Sequence, residues 1–179
     1  THGRGIWILD NISPLVALAE SSVQPNQPYL FQAGVATQWK TANVQEWTGS
    51  AEFRLPNPTN DVRIRYWIPE GSEGSSDLEI TILTMAGQQI RSFSQKAIPG
   101  AHELLWDYRI DPAFTLNSAE SGNNRFRGGP RPQGPIVLPG IYQIQMELGQ
   151  VTMFGDVIVQ MDPRIEISST ELQARQDAL

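Results

Sequence analysis

The stretch Val62-Arg63-Ile64-Arg65-Tyr66-Trp67-Ile68, "VRIRYWI", puts an apolar or aromatic side chain at every second position. In an extended chain successive side chains point to opposite faces. Val62, Ile64, Tyr66 and Ile68 therefore share one face, and Arg63, Arg65 and Trp67 the other. The pattern predicts a strand with one face in a core. The same period recurs along the chain. "AEFRL" aligns Ala51, Phe53 and Leu55; "LEITIL" aligns Leu78, Ile80 and Ile82; "ELLWDYR" aligns Leu104, Trp106 and Tyr108. "IYQIQMEL" sets Tyr142, Ile144, Met146 and Leu148 against glutamines and Glu147, and "VTMFGDVIVQM" keeps Val151, Met153, Val157, Val159 and Met161 in step. With the shorter run "QIRSF" these make about seven strands between residues 51 and 161.

Turn residues separate the runs. Gly149-Gln150 is a two-residue connection whose leading glycine suits the positive φ of a type II′ hairpin turn. Ala86-Gly87, Pro99-Gly100 and Pro139-Gly140 punctuate the chain in the same way. No long helical pattern lies between the strands, which favours a two-sheet antiparallel sandwich over a parallel α/β sheet. Residues 10–50 are mixed, with "PNQP" and "YLF", and read as a linker packing along the sandwich. Residues 117–135, rich in Gly, Pro, Asn and Ser, read as a long mobile loop. Ser168 with Glu171 three residues on has capping-box spacing and predicts the start of a short C-terminal helix.

Composition narrows the function. The chain has 179 residues, 40% of them hydrophobic, enough for one substantial core. A net charge of −6, with its two lysines, Lys40 and Lys96, far apart, argues against nucleic acid, which demands clustered cations. No run reaches the roughly 20 apolar residues of a membrane helix, and there is no cysteine for disulfides or thiolate metal sites.

The residues that carry chemistry are scattered. His2 and His102 stand a hundred positions apart without metal-ligand spacing, and no Gly-x-Ser-x-Gly elbow occurs. Paired carboxylates of the kind glycoside hydrolysis uses are offered by Asp107 with Asp111 and by Asp156 with Asp162. Asp107 alternates with core-directed Trp106 and reads as a turn acceptor, and Asp162-Pro163 as a turn that redirects the chain. No catalytic residue, cofactor or metal ligand is assigned. Candidate interaction residues are Ile6, Trp7 and Ile8 in the N-terminal apolar run, Trp67 on the outer face of its strand, and Arg125, Phe126 and Arg127 in the loop. Aromatic rings beside arginines suit stacking on a glycan.

"GRGIWILDNISPL" resembles the closing strand and exit of the β-propeller in bacterial sortilin-like, BNR-repeat proteins labelled glycosyl hydrolases. "FRLPNP" with "VRIRYWIP", "LEITILTMAGQQIRSF", "PGAHELLWDYR", "GPIVLPGIYQIQMELG" and "VIVQMDPRIEISSTELQ" resemble, in order, their C-terminal tail. Gly87, Trp106-Asp107 and Pro139-Gly140-Ile141-Tyr142 resemble the immunoglobulin-like module of the flagellar-hook capping protein. Asn57-Pro58-Thr59 followed by Asn60-Asp61 departs from the family's Asn-Pro-Pro and Gly-Ala.

The resemblance implies an extracytoplasmic protein (periplasmic, secreted or at the cell surface) whose propeller carries ligand binding, and no family catalytic residue maps onto this chain. The expected fold is all-β, an immunoglobulin-like (fibronectin III-like) antiparallel β-sandwich of about seven strands with an extended N-terminal segment and a short C-terminal helix. The expected divisions are 1–15, the last propeller strand and exit; 16–50, linker; 51–163, sandwich; and 164–179, helix start. The expected role is noncatalytic packing, spacing or protein contact, with the parent propeller or another chain as partner. A carbohydrate-binding module, part of a propeller glycosidase, and a structural subunit of an extracytoplasmic assembly are the alternatives.

Overall fold

The structure, a computed structural model, describes residues 11–20, 24, 26–40, 59–72, 77–112, 134–168, 170–172 and 174. The expected strand at 51–55, the apolar run at 6–9 and most of the expected loop at 117–135 lie outside the described residues. Among the described residues the elements are α1 (Ser13–Ala19), β1 (Tyr29–Leu30), β2 (Gly34–Gln38), β3 (Val62–Ile68), β4 (Asp77–Thr84), β5 (Gln89–Lys96), β6 (Gly100–Trp106), β7 (Gly140–Leu148) and β8 (Val151–Met161). They form an all-β sandwich of two sheets, ordered β1-β3-β6 and β2-β8-β7-β4-β5.

Alternation built both inner faces. Val62, Ile64, Tyr66 and Ile68 of β3 are buried, as are Leu78, Ile80 and Ile82 of β4 and Tyr142, Ile144, Met146 and Leu148 of β7. Fully burying such side chains contributes about 1.5–3 kcal/mol each. Trp106 of β6 is completely enclosed. Its indole Nε1–H donates to the Arg109 carbonyl at 2.9 Å, so its polar atom does not lack a partner. The Tyr142 ring meets it edge-on at 5.7 Å.

The hairpin between β7 and β8 turns on two residues, with Leu148 paired to Val151. Gly149 has φ +61° while Gln150 is not among the residues with positive φ, the φ signature of a type II′ turn. At the C-terminal end Ser168 and Glu171 form a reciprocal capping box. The Glu171 amide donates to Ser168 Oγ at 3.3 Å, and the Ser168 amide donates to Glu171 Oε2 at 2.9 Å.

Three features differ from the sequence reading. The linker segment contributes α1 and two strands, and these strands join different sheets: β1 pairs antiparallel with β3, whereas β2 pairs with β8. The expected all-antiparallel sandwich is corrected at β2, which runs parallel to β8 from Gly34↔Val157 to Gln38↔Met161. A chain that leaves one sheet at Phe31 and joins the other at Gly34, where φ is +72°, keeps its direction and meets β8 in that orientation. The strand expected through Arg109 stops at Trp106. There Asp107 Oδ1 accepts the Arg109 amide at 3.3 Å and Tyr108 takes φ +60°, which turns the chain toward residues 135–137.

Candidate functional site

The sheet switch leaves one side of the sandwich open. β1 pairs only with Tyr66 and Trp67 of β3, and the Phe31 amide adds one bond to the Arg65 carbonyl at 2.9 Å. Among the described residues the edge of β3 before Arg65 has no further strand. A cavity of about 260 Å³ opens there, lined by Trp39, Asn60, Asp61, Arg63, Arg65 and Tyr108 among others.

Its polar groups are largely used by the fold. Asn60 clasps the backbone of Trp39, accepting its N–H at 3.0 Å and donating to its carbonyl at 2.6 Å. The Tyr108 hydroxyl donates to the Thr37 carbonyl at 3.0 Å. Arg63 and Arg65 both reach Glu103, at 3.0 and 2.8 Å. The Arg164 guanidinium lies over the Trp39 ring at 5.6 Å. Burial, helped by the Asp61 charge, pushes the Tyr108 hydroxyl up to about 12, which makes it a poor general base or nucleophile at neutral pH.

Of the two carboxylate pairs, Asp107, Asp111 and Asp162 accept hydrogen bonds from the fold. Asp107 serves the Arg109 amide, while Asp111 caps the edge of β5. The Asp111 amide donates to the Ile90 carbonyl at 2.8 Å, its Oδ2 accepts the Ser92 amide at 3.1 Å, and Arg91 approaches it at 3.3 Å. Asp162 is the one charged side chain buried among the described residues. It accepts the amides of Lys40 and Arg164, at 3.1 and 3.0 Å, and Arg164 Nε at 2.8 Å. Those Arg164 bonds and backbone amides hold its carboxyl well below the usual carboxylate range, against the opposing effect of burial. Asp156 stands exposed on the opposite side of β8 from the core, across from Gln143. His102 stacks on Tyr66 at 5.5 Å and donates from Nε2 to the Ile98 carbonyl at 2.6 Å. Among the described residues no three His, Cys, Asp or Glu side chains converge as metal ligands, and no helix is long and apolar enough to cross a membrane.

Of the candidate interaction residues, Trp67 is half-buried on the outer face of the three-stranded sheet, between Tyr29 of β1 and Ala101 of β6. Ile6, Trp7, Ile8, Arg125, Phe126 and Arg127 lie outside the described residues.

The outer face of the five-stranded sheet carries a feature that sequence reasoning missed. Val35 of β2, Ile158 of β8 and Ile141 of β7 are direct cross-strand neighbours. They are 59%, 45% and 51% exposed, and Phe154, four residues before Ile158 on the same face, is 59% exposed. Strand neighbours this close form a continuous apolar row in water. The signal was present in "VIV" and "PGIY", where an apolar residue occupies both phases of the alternation.

No family model, no curated protein and no solved structure matches the chain. The class of the protein is therefore that of its fold, an all-β sandwich, and its site is read from geometry.

Proposed function

We propose that this domain is a noncatalytic immunoglobulin-like, fibronectin III-like module of an extracytoplasmic β-propeller protein, serving packing, spacing or protein contact. The observation that carries the reading is a contrast. Asn60, Tyr108, Arg63 and Arg65 of the cleft are engaged by the fold, while the aliphatic row Val35–Ile158–Ile141, whose Val35 also borders the cleft, is left in water. Exposed apolar surface of this kind marks a contact face.

Two features support the immunoglobulin-like reading. Among the described strands β2 lies parallel to the last, β8, while the other pairs are antiparallel. The Tyr142 hydroxyl, near the start of the penultimate strand, donates to the Leu138 carbonyl at 2.6 Å, the arrangement of a tyrosine corner. The propeller and extracytoplasmic parts rest on the resemblance of the sequence motifs.

The reading is tested by the triple variant Val35→Thr/Ile141→Thr/Ile158→Thr, followed by chemical unfolding. Side chains kept for a partner are dispensable to the isolated fold, and threonine keeps the β-branched shape a strand favours. The expected loss is within about 1 kcal/mol, since surface substitutions away from structural features are individually small. Failure of the variant to fold would defeat the reading.

A further inference from the structure

The apolar row shares its sheet face with an acidic half. Across β8, β7, β4 and β5 the outward residues run Phe154–Gln145–Thr81–Ser92 and, one step along, Thr152–Glu147–Glu79–Ser94. Glu79 and Glu147 are thus directly opposite each other on neighbouring strands, a placement in which like charges repel. Among the described residues no cation pairs with either. Ser92 Oγ donates to Glu79 Oε1 at 2.9 Å, and Gln145 Nε2 donates to Glu147 Oε1. Asp156 adds a third carboxylate between this pair and the row. Among the described strand residues the one cation on the face is Lys96, opposite Asp77.

The other sheet handles its acid differently: on its outer face Glu103 is gripped by both Arg63 and Arg65. The fold therefore neutralises a carboxylate on one face and leaves three beside an exposed aliphatic row on the other. The geometry points to a protein partner that presents aliphatic side chains flanked by lysine or arginine. Its apolar residues pack on Val35, Ile158, Ile141 and Phe154, and its cations sit against Glu79, Glu147 and Asp156. Nucleic acid and anionic lipid carry the wrong sign for this face. The inference rests on the reading of the domain as a contact module, and it adds the chemistry of the partner.

The test is a titration of the full 179-residue chain, methyl-labelled at Ile and Val, with an acetylated, amidated peptide that alternates lysine with valine. The expected result is methyl shifts at Val35, Ile141 and Ile158, with affinity at least tenfold weaker for Glu79→Gln/Glu147→Gln and for the same peptide with glutamate in place of lysine. Addition of salt to 0.5 M should weaken binding as well, because the charged contacts are solvent-exposed. Equal binding of the glutamate peptide, shifts confined to another surface, or no binding would overturn the inference. So would self-association through this face that the peptide does not displace, which would make a second copy the occupant. Failure of the peptide while the threonine variant still folds removes the charge assignment and leaves the contact reading standing. Collapse of the threonine variant removes both.

Discussion

Gly134 has no room for a side chain, because a Cβ there would run into the carbonyl of Ile110. The close approach lets Arg109 Nη1 donate to the Gly134 carbonyl at 2.8 Å while Ile110 and Val137 donate their amides to Pro135 and across to Tyr108, at 2.9 and 2.8 Å. Gly134→Ala should therefore cost about 3 kcal/mol, in the upper range for overpacking, measured as a lowered urea midpoint with unchanged slope. Asp162 gives the molecule an acid sensitivity. Its folded pKa lies below its unfolded value, so its stabilising contribution is present above the unfolded pKa and is lost as pH falls toward the folded one. Stability should drop as pH is lowered below about 4, the unperturbed aspartate value. Asp162→Asn should be less stable at pH 7 yet show a shallower decline between pH 5 and pH 2 in urea unfolding. An unchanged acid slope would show that other carboxylates govern it. The sequence marked Asp162 as a turn residue because proline follows it. Its burial depends on Lys40, 122 residues away, and no local pattern carries that contact.

At the scale of the element, β8 shows both what alternation reveals and where it stops. Val157 and Val159 are buried as the pattern predicts, while Ile158 and Phe154 occupy the opposite phase and are exposed. Gly155 interrupts the inner face for a reason: a Cβ there would come within 3.1 Å of Leu30 Cδ2. The glycine makes the space in which β1 reaches over from the other sheet. Gly155→Val should push Leu30 away and destabilise the domain by about 1–3 kcal/mol. Calorimetry checks this, and full wild-type stability would show that Leu30 packs elsewhere. Strands β3, β4 and β7 were legible because seven or more residues of strict alternation leave little ambiguity. The two-residue β1 and the five-residue β2 are too short for a period to emerge. Their division between sheets depends on a backbone switch near Gly34, so the parallel pairing with β8 had no signature in local sequence. The end of β6 at Trp106 was hidden for a similar reason, since the left-handed Tyr108 is held by the distant Thr37 and Val137 in addition to the Asp107–Arg109 bond beside it.

For the whole molecule, the two faces of the five-stranded sheet have different tasks. The inner face closes the core; the outer face holds an exposed aliphatic row and an acidic half. On the proposed reading, recognition falls on a surface made by residues from β2, β7 and β8. The alternation in the sequence made the inner face readable, whereas the outer row emerges only when strand order sets Val35, Ile158 and Ile141 side by side. The direct test is to compare equilibrium unfolding of Val35→Thr/Ile141→Thr/Ile158→Thr with that of Ile144→Ala, which truncates one inner-face side chain of the same sheet. The single core change should cost about 2–5 kcal/mol, as buried aliphatic truncations do, and the three outer changes together within about 1 kcal/mol. A triple variant as damaged as Ile144→Ala would contradict the account, because the outer row would then belong to the fold.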